Sequence, residues 1–146
     1  MGMDVYGLNP RVRSEDPGDR SAATGAYFRA NVWSWRPIHL LCDKVIELYN
    51  LPLSTEGWEN NGGQGLRTQQ ECDRLADALE AYLEDFPPEG DQVAVDLGVY
   101  CDETGKLFVG EEHRGKKGLR PAHYTDLEHL REWLLFLRNC GGFEIW

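Results

Sequence analysis

The chain has no apolar run approaching the roughly 18 residues that a membrane-spanning helix needs. Its opening residues, Met1-Gly2-Met3-Asp4-Val5-Tyr6-Gly7, contain neither the basic stretch nor the apolar core of a secretory signal. Gly2 would suit N-myristoylation, but that pattern wants Ser or Thr where Tyr6 stands. A soluble, cytoplasmic protein without membrane association is the expectation. Close cysteine pairs are missing too. Cys42, Cys72, Cys101 and Cys140 are spread along the chain with no C-x-x-C, which in a protein that is not exported points to reduced, mostly buried thiols. His39, His113, His123 and His129 form no H-x-x-x-H pair, so no metal site and no cofactor is expected.

Catalytic signatures are equally scarce. No Ser lies in a G-x-S-x-G elbow. Cys140 falls at the end of an expected helix, where the dipole raises a thiol pKa and disfavours thiolate chemistry. The carboxylate pairs Asp43/Glu47 and Glu80/Glu84 have the i,i+4 like-charge spacing of a solvated helix face. No catalytic residue can be assigned, and an enzyme is not the expected class.

Basic charge is in short supply, with 15 Lys and Arg against 25 Asp and Glu, a net charge of −10. The imbalance is local: residues 43–103 hold 15 acids and 3 bases, or −12, and the rest of the chain is +2. Neutralising phosphates supplies most nucleic-acid affinity, so direct nucleic-acid binding is not expected. An acidic middle suits a basic partner, or mimicry of nucleic acid toward a protein that binds it. It also suits two helices kept soluble by their charges.

What the sequence does contain is enough apolar residue for a folded core. Hydrophobic residues make up 41% of 146 positions and aromatics 11%, which fits a single globular domain over 1–146. Periodicity predicts α+β, with three main helices and a small, mostly antiparallel sheet. Met3–Tyr6 reads as an edge strand. Residues 8–25, rich in Pro, Gly, Ser and mixed charge, read as a mobile loop. Ala26–Trp33 reads as a turn or two of helix, and Pro37–Asn50 as an amphipathic helix opened by its proline. Thr68-Gln69-Gln70-Glu71 is a capping box for a helix to about Asp85. Val93–Cys101 and Leu107–Val109 form an expected hairpin, and 110–121 reads as a second mobile, charged loop. Thr125-Asp126-Leu127-Glu128 reads as another capping box. Gly141-Gly142 ends that helix, and Phe143–Trp146 is a last short strand.

Three clusters are candidate binding residues. The first is Tyr27-Phe28-Arg29-Ala30-Asn31-Val32-Trp33-Ser34-Trp35-Arg36-Pro37, four aromatics and two arginines in eleven residues. If exposed, Tyr27, Arg29, Trp33, Trp35 and Arg36 would build cation–π stacks and an interface hot spot. If buried, they would clamp the first loop to the following helix. The second is Asn60-Asn61-Gly62-Gly63-Gln64-Gly65, with Asn61, ahead of a helix N-terminus that attracts anions. It matches no nucleotide-binding fingerprint and reads equally as a plain connection. The third is the basic knot His113–Arg120, with Arg114, Lys116 and Lys117. It would hold a phosphate or an acidic partner, fold over the acidic helices, or stay in solvent.

The segments Met1–Gly7, Tyr27–Pro37 and Phe136–Ile145 resemble a group of small bacterial and phage proteins of uncharacterised function. Their shared pattern is MG-x-DVYG, YFR-x-N-VW-x-WRP and FL-x-x-CGGF-x-I. Some members carry paired C-x-x-C knuckles before the last helix, where this chain has only Cys101. The resemblance implies bacterial or phage origin and brings no activity with it. The functional expectation is an acidic binding or accessory protein that acts through a macromolecular partner, expected to be a protein. The alternatives are a nucleotide- or phosphate-ligand binder, a reading that extends to a small enzyme, or an acidic nucleic-acid mimic that inhibits a host protein.

Overall fold

A computed structural model describes residues 2–10 and 25–146. Its elements, in chain order, are β1 (Gly2–Gly7), β2 (Tyr27–Asn31), α1 (Val32–Leu48), α2 (Gln69–Asp85), β3 (Gln92–Cys101), β4 (Leu107–Val109), β5 (Arg120–Asp126), α3 (Leu127–Asn139) and β6 (Phe143–Ile145). The architecture is α+β. Its strands form two three-stranded antiparallel sheets rather than one, ordered β2-β1-β6 and β4-β3-β5. The expected loop over 8–25 lies, from 11 to 24, outside the described residues.

β1 is the central strand of its sheet, not an edge. It pairs with β2 in the register Met3↔Ala30 and Val5↔Phe28, and with β6 through Val5↔Ile145. The second pairing joins opposite ends of the chain, so no local pattern announces it. The segment read as a turn of helix over Ala26–Trp33 is instead mostly β2. Its residues alternate, with Phe28 and Ala30 buried and Tyr27, Arg29 and Asn31 exposed, the period-2 pattern of a half-buried strand.

α1 begins at Val32, five residues before the expected start at Pro37. Asn31 is the cap, its side-chain oxygen accepting from the Ser34 N–H at 2.8 Å, and Asn is among the strongest N-cap residues. Pro37 therefore lies inside the helix and has no N–H to give the Trp33 carbonyl one turn back. α2 starts as expected. The Thr68 hydroxyl accepts from the Glu71 N–H and the Glu71 carboxylate accepts from the Thr68 N–H, both at 3.2 Å. α3 is capped by Asp126, which accepts from Glu128 N, and not by Thr125. Thr125 is committed to β5, the strand that the charged reading of 110–121 overlooked at Arg120 and Pro121. A 3-10 turn at Glu111–His113 also interrupts that stretch.

The helices pack on the inner faces of the sheets around an aromatic centre. The Trp133 ring lies 5.0 Å from Phe28, 5.4 Å from Trp35 and 5.4 Å from Phe143, distances at which ring pairs add to burial alone. α2 and α3 are tied at one point by Arg138, whose guanidinium reaches Asp77 at 2.7 Å and Glu80 at 3.2 Å. The chain crosses itself closely at its last turn. Gly142 has φ 102°, and a Cβ there would stand 2.5 Å from the Arg67 carbonyl oxygen, so only glycine fits. Among the described residues no helix is long and apolar enough to cross a membrane.

Candidate functional site

The aromatic–arginine block divides between core and surface, residue by residue. Strand alternation in β2 sends Phe28 inward and Tyr27 and Arg29 outward. Helical periodicity in α1 then sends Trp35 inward with Ile38, Leu41, Cys42 and Val45, and leaves Trp33 and Arg36 outside. Trp35 is 3% exposed, and its indole N–H donates to the Trp58 carbonyl at 2.9 Å. Trp33, two residues earlier, is 82% exposed. Among the described residues neither Arg29 nor Arg36 stacks on a ring; the cation–π contact is Lys106 over Phe108 at 5.4 Å. Tyr27 instead donates its hydroxyl to Asp4 across the β1–β2 pair, and that carboxylate raises its pKa above the usual tyrosine value.

Beside the outer stripe of α1 lies an open cleft of about 530 Å³, within the size range of ligand and side-chain pockets. Met3 of β1 with Trp35 and Leu40 of α1 forms its apolar wall, and Arg36, His39, Glu59 and Asn61 carry its polar groups. Trp33, Arg36 and Leu40 are spaced i, i+3 and i+7, so the exposed indole stands on the same helix face as the cleft wall. His39 packs beside both the Trp35 and Trp58 rings, with centroids 6.5 and 6.0 Å away. Its Nε2 is 3.5 Å from Asp43, which also accepts the Thr55 hydroxyl. Among the described residues Arg36 and Glu59 have no ion-pair partner.

The structure thus brings Trp33, Trp35, Arg36 and Asn61 to one place. Tyr27 and Arg29 lie instead on the outer face of the first sheet, where Tyr27 meets Tyr6 at 5.3 Å. The basic knot is elsewhere again. Lys116 and Lys117 are exposed, and Arg114 donates to the Tyr100 hydroxyl at 3.2 Å and approaches Glu111 at 3.5 Å. None of the three lines the cleft.

The glycine-rich segment has a structural occupation. Gly63 N–H donates to the Ile145 carbonyl at 2.7 Å, Ile145 N–H to Gln64 at 2.9 Å, and Phe143 N–H to Leu66 at 2.7 Å. The segment therefore runs along β6 almost as another strand, and a Cβ on Gly65 would lie 2.2 Å from the Phe143 oxygen. With the Gly63 N–H given to Ile145 and the Gln64 and Leu66 carbonyls accepting from β6, the segment is built into the sheet rather than arranged as a phosphate cradle. Asn61 itself reaches into the fold, donating to the Trp146 carbonyl at 3.1 Å.

Sequence reasoning missed Met3, His39 as a wall group, Leu40 and Glu59. Leu40 was detectable from its spacing to Trp33 and Arg36, whereas Met3 and Glu59 arrive from distant segments. The thiols also differ from expectation at one point. Cys140 touches Cys72, sulfur to sulfur at 3.6 Å, and this contact lowers its pKa while raising that of Cys72. Both are fully buried. Cys42 is pushed up to about 12 by burial, beside Trp133. Among the described residues no group of three or more His, Cys, Asp or Glu is arranged to hold a metal ion. The chain matches no protein-family model, no characterised protein and no solved structure.

Proposed function

We propose that this is a cytoplasmic binding protein of bacterial or phage origin that acts on another protein through the outer stripe of α1 and the adjoining cleft. The carrying observation is Trp33, a tryptophan 82% exposed on a regular helix beside an apolar, aromatic-walled cleft. Burying that indole against a partner would release about 2–3 kcal/mol or more, and tryptophan and arginine dominate interface hot spots. Arg36 and Glu59 at the rim, which have no ion-pair partner among the described residues, supply charge for such a contact. The nucleotide reading is less well supported, because the Gly63 N–H is already used by β6 and the basic knot does not reach the cleft.

The test is site-specific photocrosslinking in the native host, with a photoreactive amino acid at position 33. The control is Val109, which is 74% exposed on the short edge strand β4. A discrete protein adduct from position 33 and none from 109 supports the reading. Equal labelling at the two positions, or none at 33, counts against it.

A further inference from the structure

We propose that the partner segment is basic and carries one apolar anchor: a side chain such as leucine enters the cleft, and lysines or arginines beside it face the C-terminal half of α1. This rests on the reading of the Trp33 stripe as a partner-binding surface and adds the partner's chemistry to it.

The outer face of α1 changes character along its length. Trp33, Arg36 and Leu40 occupy its first half. Asp43 and Glu47 continue the same stripe at i+10 and i+14 from Trp33, with Lys44 beside them, on helical geometry. Glu47 and the side chain of Asp43 are well exposed. The last turn of α1 holds no basic residue, so the negative end of the helix dipole adds to these carboxylates unopposed. Across the cleft the loop adds Glu59, which is exposed. Among the described residues of this face, Asp43, Glu47 and Glu59 therefore stand against Arg36 and Lys44, and residues 43–103 as a whole carry −12. Such a field attracts a cationic partner and repels an anionic one.

The cleft specifies the anchor. Trp35 presents a ring and no donor, because its N–H is held by the Trp58 carbonyl. Met3 and Leu40 add only apolar surface. An apolar side chain is satisfied there, and a polar one would lose hydrogen bonds to water without replacement. Arg36, near the helix start and without an ion-pair partner among the described residues, would meet a backbone carbonyl of the partner.

The experiment uses the full chain and a fluorescein-labelled nonapeptide with one central leucine flanked by lysines. Its comparison peptides replace the lysines by glutamates, or the leucine by serine. Anisotropy should show binding of the basic leucine peptide, at least about tenfold weaker binding of the serine peptide, and none of the acidic one. The protein variants Glu47→Lys and Glu59→Lys alter exposed positions, and the first favours the helix dipole, so both should fold. Each should weaken the basic peptide about fivefold or more and strengthen the acidic one. No binding of the basic peptide at millimolar concentration overturns the inference. So does equal binding of the leucine and serine peptides, or indifference to both lysine variants. If any of these occurs while position 33 still crosslinks a protein, the partner-binding reading stands and its basic chemistry falls.

Discussion

Trp33 and Trp35 stand two residues apart on one helix, and alanine at each should give opposite results. Trp35 is 3% exposed, with ring neighbours in Trp133 at 5.4 Å and Trp58 at 6.3 Å, and it donates a 2.9 Å hydrogen bond. Truncating a buried tryptophan costs about 3–5 kcal/mol, and the Trp58 carbonyl would be left without its donor. A loss of about 4 kcal/mol at about 2.1 cal/mol/K per residue, over 146 residues, lowers Tm by about 13 °C. Trp33 is 82% exposed, so its removal forfeits little burial, and alanine is the better helix former. Its change should stay within about 0.5 kcal/mol, under about 2 °C. Thermal unfolding by circular dichroism, with urea titration as a second measure, reads both. Trp35→Phe adds a check, because it keeps most of the packing and removes only the N–H, and should cost about 1–3 kcal/mol. A drop of 10 °C or more for Trp33→Ala would refute the division of the block into core and surface.

The remaining predictions concern caps, glycine, thiols and pH. Thr68→Ala removes one half of the capping box and should cost about 0.5–2 kcal/mol by urea titration. Gly142→Ala should cost more than about 2 kcal/mol or prevent folding, because its Cβ would meet the Arg67 backbone; a fully stable variant would contradict the crossing described here. In the native protein Cys101, half-exposed while the other three thiols are buried, should be alkylated first by iodoacetamide, as peptide mass mapping would show. Stability should fall as pH rises through the interval from about 9 to about 12. The Cys42 thiol has its pKa raised from 9.0 to about 12 by burial, so the folded state holds that proton after the unfolded chain has released it. Tyr49, raised to about 12 by burial and by its bond to Asp85, acts in the same direction over a higher window. Flat stability between pH 8 and 11 would show that neither shift exists.

Local signals determined those parts of the fold whose stabilising groups lie close together in the chain. The Thr68–Glu71 box is completed within four residues and was readable with its helix to Asp85. The β3–β4 hairpin and the stop at Gly141-Gly142 were readable for the same reason. β5 was hidden because its residues, Arg120–Asp126, are mostly half-buried at a sheet edge and so lack a clear apolar alternation. The central place of β1 was hidden because its partner β6 lies at the other end of the chain. Four of the proposed binding residues, Trp33, Trp35, Arg36 and Asn61, were visible by type. Their roles were not, since a tryptophan on the inward or the outward side of a helix has the same composition. The strand-to-helix switch at Asn31 decides which way each ring of the block turns, and Trp133 and Phe143 are waiting only for those that turn inward. Composition thus determined an acidic α+β chain with an aromatic–arginine block. Only tertiary packing decided that Trp35 is core and Trp33 surface, because burial is a property of what stands opposite a side chain, and Met3 on one segment and Trp58-Glu59 on another reach that position from outside α1.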